Sequence, residues 1–263
     1  MSATDITPAG MAFCFLLLLI PVLISYHLNL KLINSTIESA FRMTVQLAFV
    51  GFFLTFVFEL NNSLLNFVWV LTMVIVASYT VLKNAQLKYG PFIVPLTLSF
   101  ALANVGMLLY FNSLVIGLND LFEARYFIPI AGMVIGNSLR ANIVGINYFC
   151  DQIQRNENRY LSSLSLGAEK YEALKPYLRK SLRNSIRPTL ANMATVGIVF
   201  LPGMMTGQII GGSSPLTAIE YQIAIMIAIY VSTMMNVMFG VIILIHRGFD
   251  DYGMFRKDML KGE

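Results

Sequence analysis

Long apolar stretches constrain this sequence more than any other feature. Seven of them are long enough for a helix that crosses a bilayer, which takes about 20 mostly apolar residues because lipid offers the backbone no hydrogen-bond partners. Charged residues make up only 12% of the chain, against about 25% in soluble domains. The predicted spans are Pro8–Tyr26, Phe41–Leu60, Leu64–Leu82, Phe92–Phe111, Tyr126–Phe149, Thr189–Gly211 and Ala218–His246. The sequence therefore predicts an all-α, polytopic integral membrane protein with about seven transmembrane helices, forming one domain over residues 1–263.

Basic residues are concentrated in alternate loops between these stretches. Sixteen of the 18 Lys and Arg residues flank the ends of the first, third and fifth spans or lie in the C-terminal tail. The two exceptions are Arg125 and Arg140. Loops rich in Lys and Arg face the cytoplasm, so the N-terminus is predicted outside and the C-terminus inside. The expected location is the cell membrane, or the inner membrane of a Gram-negative cell. The net charge of +4 comes from these flanks, which argues against a nucleic-acid partner. The tail contributes Arg247, Arg256, Lys257 and Lys261.

The loop between the fifth and sixth spans, at about 151–187, is the one sizeable polar segment. Within it, the run 163–168 predicts a short hinge, because Gly167 can adopt backbone angles that other residues avoid. An amphipathic helix is predicted to follow over 169–187, with Lys175, Arg179, Arg183 and Arg187 recurring every fourth residue. Such a helix either rests on anionic lipid headgroups, at about 1 kcal/mol per basic residue, or acts as a lever that docks on a partner. The hinge favours the lever, since a helix lying on lipid does not need one.

Four strings in this half of the chain resemble a known family. The string Leu164–Ala168 is similar to the Gly-centred coupling segment of ABC permeases. The strings Pro129–Asn137, Thr195–Gly207 and Ala218–Ile223 resemble iron-export ABC permeases of the FetB-like family, and Leu-Pro-Gly-Met-Met-Thr-Gly is the most specific match among them. The resemblance runs from about residue 128 to 223. It implies the permease subunit of a metal exporter, working as a homodimer among membrane lipids.

A nucleotide-binding motif is missing from the sequence. The Walker A loop, Gly-x4-Gly-Lys-Ser/Thr, cradles phosphates in ATP-driven motors, and no such string occurs here. The resemblance therefore implies that ATP and magnesium are bound by a separate ABC ATPase subunit, and that this chain has no cofactor, no catalytic residue and no enzymatic activity of its own. The residues implied to contact that ATPase are Leu164, Ser165, Leu166, Gly167 and Ala168.

The sixth stretch contains residues that break helices. Proline removes a backbone donor and clashes with the preceding turn, and carbonyls freed in this way are tolerated in a membrane only against protein or water. The break is either a packing kink or part of a gate, and the resemblance favours the gate. The predicted pathway or gate residues are Pro202, Gly203, Met204, Met205, Gly207 and Glu220.

Other positions in the spans carry weaker signals. Gly132 and Gly136 form a Gly-x3-Gly pair, which predicts close helix packing. Arg140 is a charge within a span, so it is either functional or extends to the interface; the resemblance assigns it no role. Glu59 and Glu220 offer oxygen ligands for a hard cation, and they are the candidates for an otherwise unknown metal site. Methionine is ordinary apolar filler, so the 15 methionines do not predict copper.

Alternative functions remain open from the residues alone. An ATP-independent secondary transporter or channel for a cation or small solute is the main one, although such proteins often show internal repeats and paired broken helices, and only one broken stretch is conspicuous here. An intramembrane enzyme is disfavoured because no Ser-x-x-Lys or His-Glu-x-x-His string occurs. A membrane scaffold is the third alternative.

Overall fold

The computed structural model describes residues 6–250, 252–256 and 259. In this part of the chain the structure is almost entirely helical, which confirms the all-α membrane fold. Two of the helices, at Pro8–Leu16 and Leu19–His27, together form the first span, and a π-helical turn at Phe111–Ile116 extends the helix at Tyr89–Tyr110. The α-helices are α1 (Pro8–Leu16), α2 (Leu19–His27), α3 (Ile33–Leu60), α4 (Ser63–Asn84), α5 (Tyr89–Tyr110), α6 (Ala124–Arg155), α7 (Glu157–Ser165), α8 (Lys170–Thr195), α9 (Gly203–Ile210) and α10 (Pro215–Arg247).

Six helices in the described residues are long and apolar enough to cross a membrane. They coincide with six of the seven predicted stretches, and most extend past the predicted ends by several residues because polar turns continue the helix into the interface. The second span, for example, begins at Ile33 and not at Phe41. The six are Pro8–His27, Ile33–Leu60, Ser63–Asn84, Tyr89–Ile116, Ala124–Arg155 and Pro215–Arg247.

The prediction of a single spanning helix at Thr189–Gly211 is wrong. Helix α8 ends at Thr195, and Gly197 follows with a left-handed φ of 85°. Pro202 then precedes α9, whose eight residues cover about 12 Å of a hydrocarbon core about 30 Å thick. The physical reason is local: a left-handed glycine and a proline without an amide hydrogen cannot both continue one α-helix. The chain passes from one end of the bundle to the other here, but through α8, a non-helical segment and α9.

The predicted polar loop at about 151–187 is helical over most of its length. Helix α6 continues to Arg155, α7 follows, and α8 includes the whole of the predicted amphipathic helix. Pro176 neither ends nor restarts α8, although a proline removes one backbone bond. Buried side chains such as Leu174 and Tyr177 pack this part of α8 against the bundle, which holds the helix together across the proline.

Helices α4, α5, α6 and α10 form the core of the bundle, and polar side chains join them. Ser232 of α10 donates to Asn104 Oδ1 of α5 at 2.9 Å, and Asn236 Nδ2 donates to Ser138 Oγ of α6 at 3.2 Å. All four residues are fully buried. Interhelical hydrogen bonds of this kind contribute about 0.6 kcal/mol each in a membrane, so the pair fixes the register of α10 more than it adds stability.

Helices α6 and α10 approach closely because each has a glycine that faces a side chain of the other helix. A Cβ at Gly145 would lie 2.7 Å from Val237 Cγ1, and a Cβ at Gly240 would overlap Asn142 Oδ1. Ser181 of α8 also donates to the Gly145 carbonyl at 2.6 Å. The contact that brings α6, α8 and α10 together therefore depends on the missing side chain at Gly145.

The loops with the basic residues lie at one end of the bundle. At that end the amide of Lys88, in the turn between α4 and α5, donates to the Met259 carbonyl at 2.9 Å. At the opposite end Asn61 Oδ1 accepts from the Ala124 amide at 3.2 Å, joining the turn after α3 to the start of α6. The first of these ends is the one that the charge pattern predicts to be cytoplasmic. Lys257 and Lys261 of the predicted basic tail lie outside the described residues.

Helices α1 to α3 pack loosely on this core. Ser25 is the buried residue of α2, Val57 is that of α3, and α1 has none. Helix α3 meets the bundle near its C-terminal end, where the Phe53 and Trp69 ring centroids are 4.1 Å apart. The N-terminal half of α3 therefore stands away from α4 and α6 and leaves a cleft between them.

Candidate functional site

The predicted coupling residues form a tight turn between α7 and α8. The Gly167 amide donates to the Leu164 carbonyl at 2.9 Å, and the Ala168 amide donates to the Ser163 carbonyl at 3.1 Å. Gly167 has a φ of +91°, the left-handed conformation with which many helices end and which glycine adopts without strain. We call Leu164–Ala168 the coupling turn. Gly167 thus adopts a backbone conformation that other residues avoid, as the sequence predicts, at the point where α7 gives way to α8.

The tip of the coupling turn presents an apolar side chain to solvent. Leu166 is 88% exposed, whereas Leu164 packs against the core. Beside the turn, α7 and α8 border a cavity of about 270 Å³ whose lining includes Arg159, Ser163 and Lys180. A leucine that projects from this turn, next to a cavity lined by Arg159, Lys180 and Glu172, is suited to contact another protein.

The described C-terminal residues 248–250 and 252–256 fold back beneath α7, and we call them the C-terminal strap. Phe249 packs edge-on against Tyr160 of α7, with 5.8 Å between the ring centroids. The Tyr160 hydroxyl donates to the Gly253 carbonyl at 2.8 Å. Burial raises the pKa of Tyr160 to about 12, and the neighbouring Asp250 and Tyr177 add to that effect. The phenol therefore remains a neutral hydrogen-bond donor throughout the physiological range.

The strap also contacts the coupling turn and the start of α8. Leu164 lies against Gly253, where a Cβ on the glycine would be 3.2 Å from Leu164 Cδ1. The Lys170 ammonium lies 5.2 Å from the centroid of the Phe249 ring, a distance at which a cation is attracted to the ring face. Because the strap continues directly from α10, these contacts join the coupling turn to the end of α10.

The predicted gate residues Pro202, Gly203, Met204, Met205 and Gly207 are grouped in and just before α9. Met205 is buried and borders a cavity of about 520 Å³ between α8, α9 and α10. The lining of that cavity includes Gly197 of the non-helical segment and Gln222 of α10, whose Oε1 is buried without a hydrogen-bond partner among the described residues. The break in the chain therefore borders an open pocket with a polar acceptor in its wall.

The two carboxylates predicted as metal ligands lie on separate elements. Glu220 of α10 borders a different cavity, of about 210 Å³, together with Phe111 and Ile116 of the π-helical turn. Glu59 is exposed near the end of α3. Among the described residues no group of three or more His, Cys, Asp or Glu side chains could hold a metal ion. The structure thus does not bring Glu59, Glu220 and Met205 into one site.

The predicted packing glycines are not at the tightest helix contact within this chain. A Cβ at Gly132 would meet only Met73 Cε at 3.6 Å, and one at Gly136 would meet nothing within 4 Å. Gly145 and Gly240 were not predicted. Gly145 follows Ala141 by four residues, a small-x3-small spacing that could have marked it, whereas Gly240 has no small residue within four positions. Arg140 is exposed on α6, where its Nε donates to the Gly136 carbonyl at 3.3 Å.

Comparison with known proteins identifies the family. The profile of the uncharacterised protein family UPF0014 matches residues 8–249. The chain belongs to the UPF0014 family. The matched residues include the coupling turn, the broken segment and α9. No solved structure shows a significant match to the chain.

Relatives of this UPF0014 protein occur in plants and bacteria. Protein ALUMINUM SENSITIVE 3 of Arabidopsis thaliana is 36% identical over 217 residues, which cover 82% of this chain and 77% of the relative. The probable iron export permease protein FetB of Escherichia coli (strain K12) is 31% identical over 225 residues, covering 86% and 85%. The membrane protein STAR2 of Oryza sativa subsp. japonica is 32% identical over 207 residues, covering 78% and 70%. The predicted resemblance to FetB-like permeases is therefore confirmed, and the protein is a multi-pass membrane protein.

Proposed function

We propose that this UPF0014 protein is the permease subunit of an ABC transporter that exports a metal ion, with iron as the first candidate. The similarity to the probable iron export permease FetB supports the class and the cargo. The observation that carries the proposal is the coupling turn, because it exposes Leu166 at the end of the bundle where the basic loops meet. A separate ATPase subunit docks on this turn and supplies the ATP and magnesium.

The strap explains how docking is converted into movement of the spans. When ATP closes the two ATPase subunits, the coupling turn moves with them. Tyr160 and Leu164 hold the strap against that turn, and the strap continues into α10. Helix α10 then shifts against α8 and α9, which changes the cavity beside Met205. The metal crosses along this broken segment.

A second copy of the chain completes the pathway in this proposal. Ile198 is 89% exposed and Val199 is 74% exposed, and both lie in the non-helical segment between α8 and α9. Irregular backbone at membrane depth is tolerated only against protein or a water-filled cavity. A homodimer in which the two broken segments face each other meets that requirement and encloses a path between the copies.

The docking step is tested with a matched pair of variants. The tagged protein is purified from its native membrane, and co-eluting chains are searched for a Walker A sequence. Leu166→Ala is expected to lose the ATPase, whereas Tyr252→Ala, which removes an equally exposed side chain (89%) at the same end of the bundle, is expected to retain it. Equal recovery of the ATPase with both variants would contradict the proposal that the ATPase docks on the coupling turn.

The cargo is tested by measuring metals in cells with and without the gene. Iron, aluminium and other metals are quantified together, since one relative is named for aluminium sensitivity. Export predicts that cells lacking the gene accumulate the metal that is carried. Purified permease that moves this metal at full rate in vesicles with no ATPase would instead establish the ATP-independent transporter.

A further inference from the structure

A cleft of about 970 Å³ separates the N-terminal half of α3 from α4 and α6. It forms because α3 is held at one end only, through Val57, the Phe53–Trp69 contact and the hydrogen bond of Asn61. The other end begins at Ile33, beside the turn that follows α2. The cleft is thus bordered by α3 on one side and by the packed bundle on the other.

The walls of the cleft change from polar to apolar along α3. One end is lined by polar residues of α3 spaced three or four positions apart, which places them on one face of the helix; these are Ser35, Glu38, Ser39, Arg42 and Gln46. Towards the other end α3 contributes apolar residues that face Trp69 of α4 and Ile128 of α6; these are Phe49, Val50 and Leu54. An occupant of this cleft therefore has a polar head at one end and a hydrocarbon body.

The length of the apolar part matches one leaflet of a bilayer. Arg42 and Leu54 are twelve residues apart, or about 18 Å on a helix that rises 1.5 Å per residue. Half of a hydrocarbon core about 30 Å thick is about 15 Å. An acyl chain that starts beside Arg42 would therefore end near Phe53 and Trp69, where α3 closes onto the bundle.

The polar end favours a negatively charged head. Arg42 pairs with Glu38 at 2.6 Å through one terminal nitrogen, and both side chains are more than 60% exposed. An ion pair that is this exposed is weak, and a guanidinium has five N–H donors in a geometry that suits phosphate. The remaining donors of Arg42 and the hydroxyl of Ser39 are free to bind a phosphate, while Gln46, one turn deeper, reaches the level of a lipid ester.

We propose that the cleft between α3, α4 and α6 is a binding site for an anionic phospholipid. Its phosphate binds at Arg42 and Ser39, and one acyl chain fills the apolar part as far as Trp69. The lipid comes from the leaflet on the side of the α2–α3 turn. This site goes beyond the proposed transport function, because it requires neither ATPase nor metal, and its test can fail or succeed independently of them.

Trp69 provides a built-in probe, since it is the single tryptophan of the chain and lines the cleft. The full-length protein is reconstituted into phosphatidylcholine vesicles that contain a small fraction of a brominated lipid, either brominated phosphatidylglycerol or brominated phosphatidylcholine. Brominated acyl chains quench tryptophan fluorescence on contact. Brominated phosphatidylglycerol is expected to quench Trp69 at about fivefold lower mole fraction than brominated phosphatidylcholine, as one basic residue near the surface predicts. Unlabelled phosphatidylglycerol reverses the quenching, and soluble glycerol phosphate does not.

The variants locate the head of the lipid. Arg42→Gln is expected to abolish the preference for the anionic lipid, and Arg42→Lys to retain most of it. Lys83→Gln is the control, because Lys83 is exposed at the same end of the bundle but does not line the cleft. Equal quenching by the two brominated lipids, or an unchanged preference in Arg42→Gln, overturns the proposal. Absence of quenching by either lipid also overturns it, because protein, such as a second copy of the chain, then fills the cleft.

Discussion

The hydroxyl of Tyr160 lies 2.8 Å from the carbonyl oxygen of Gly253 and donates a hydrogen bond to it. This bond joins α7, which leads into the coupling turn, to the strap that continues from α10. The Phe249 ring packs on the same tyrosine. Two segments 93 residues apart in the sequence are thus held as one unit at the end of the bundle.

Removing this hydrogen bond is expected to loosen the strap. Tyr160→Phe leaves the Gly253 carbonyl without its donor and should destabilise the packed strap by about 1 kcal/mol, the usual net value of such a bond. Hydrogen exchange read by mass spectrometry should show faster exchange over residues 248–256. Tyr252→Phe, at an exposed tyrosine of the strap itself, serves as the control. Unchanged protection in Tyr160→Phe would mean that ring packing alone holds the strap.

The same tyrosine predicts a dependence on alkaline pH. Its pKa is raised to about 12 from an ordinary value of about 10, so the folded state favours the protonated phenol. The stabilisation is complete below about pH 10 and is lost as the pH rises through about 12. A difference ultraviolet titration of wild-type protein against Tyr160→Phe should show one tyrosine ionising near pH 12. A midpoint near 10 would contradict the burial of this phenol.

Gly167→Ala tests the backbone of the coupling turn. The φ of +91° strains any residue with a Cβ, although no neighbour lies within 4 Å of the added atom, so the expected cost of about 1–2 kcal/mol is conformational. In a reconstituted complex we expect less ATP hydrolysis coupled to transport. The matched control is Gly106→Ala, which also meets open space but lies within α5, where alanine is favoured and no functional role is assigned. Equal hydrolysis in both variants would exclude the turn as the lever.

Gly240→Ala tests the contact between α6 and α10. The added methyl would overlap Asn142 Oδ1, and overpacking of this kind typically costs about 1–3 kcal/mol. Thermal unfolding in detergent should therefore occur at a lower temperature. Gly136→Ala meets nothing within 4 Å in the described chain and should unfold like the wild type. If Gly136→Ala is the more damaging variant, the predicted packing role of Gly136 is exerted against a second copy.

Cross-linking tests the homodimer at the broken segment. Ile198 is 89% exposed, so a cysteine at this position should form a disulfide between two copies in membranes under mild oxidation. The variant is made in a Cys14→Ser background, because Cys14 is exposed whereas Cys150 is buried. Leu114→Cys, at an exposed site on the π-helical turn (72%), is the control and should remain uncross-linked. The reverse pattern would place the interface near α5 and not at the broken segment.

The sequence was sufficient for features that depend on local chemistry. The apolar runs predicted six of the spans because a membrane helix satisfies its own backbone and needs no neighbour to define it. The presence of Gly167 predicted a break between two helices, because few residues other than glycine adopt a left-handed φ without strain. At Thr189–Gly211, by contrast, hydropathy predicted a span although Gly197 and Pro202 end the helix, since hydropathy measures solvent preference and not backbone continuity.

The sequence by itself determined that this chain is a helical membrane protein with its basic loops at one end. Only the tertiary structure decided which side chains meet across the bundle. Tyr160 and Gly253, or Gly240 and Asn142, are far apart in sequence, and their contact depends on how helices pack and not on any local pattern. The cleft beside Trp69 is likewise a tertiary feature, because it exists only where α3 leaves the bundle. Local preferences fix the helices, and long-range packing fixes the sites between them.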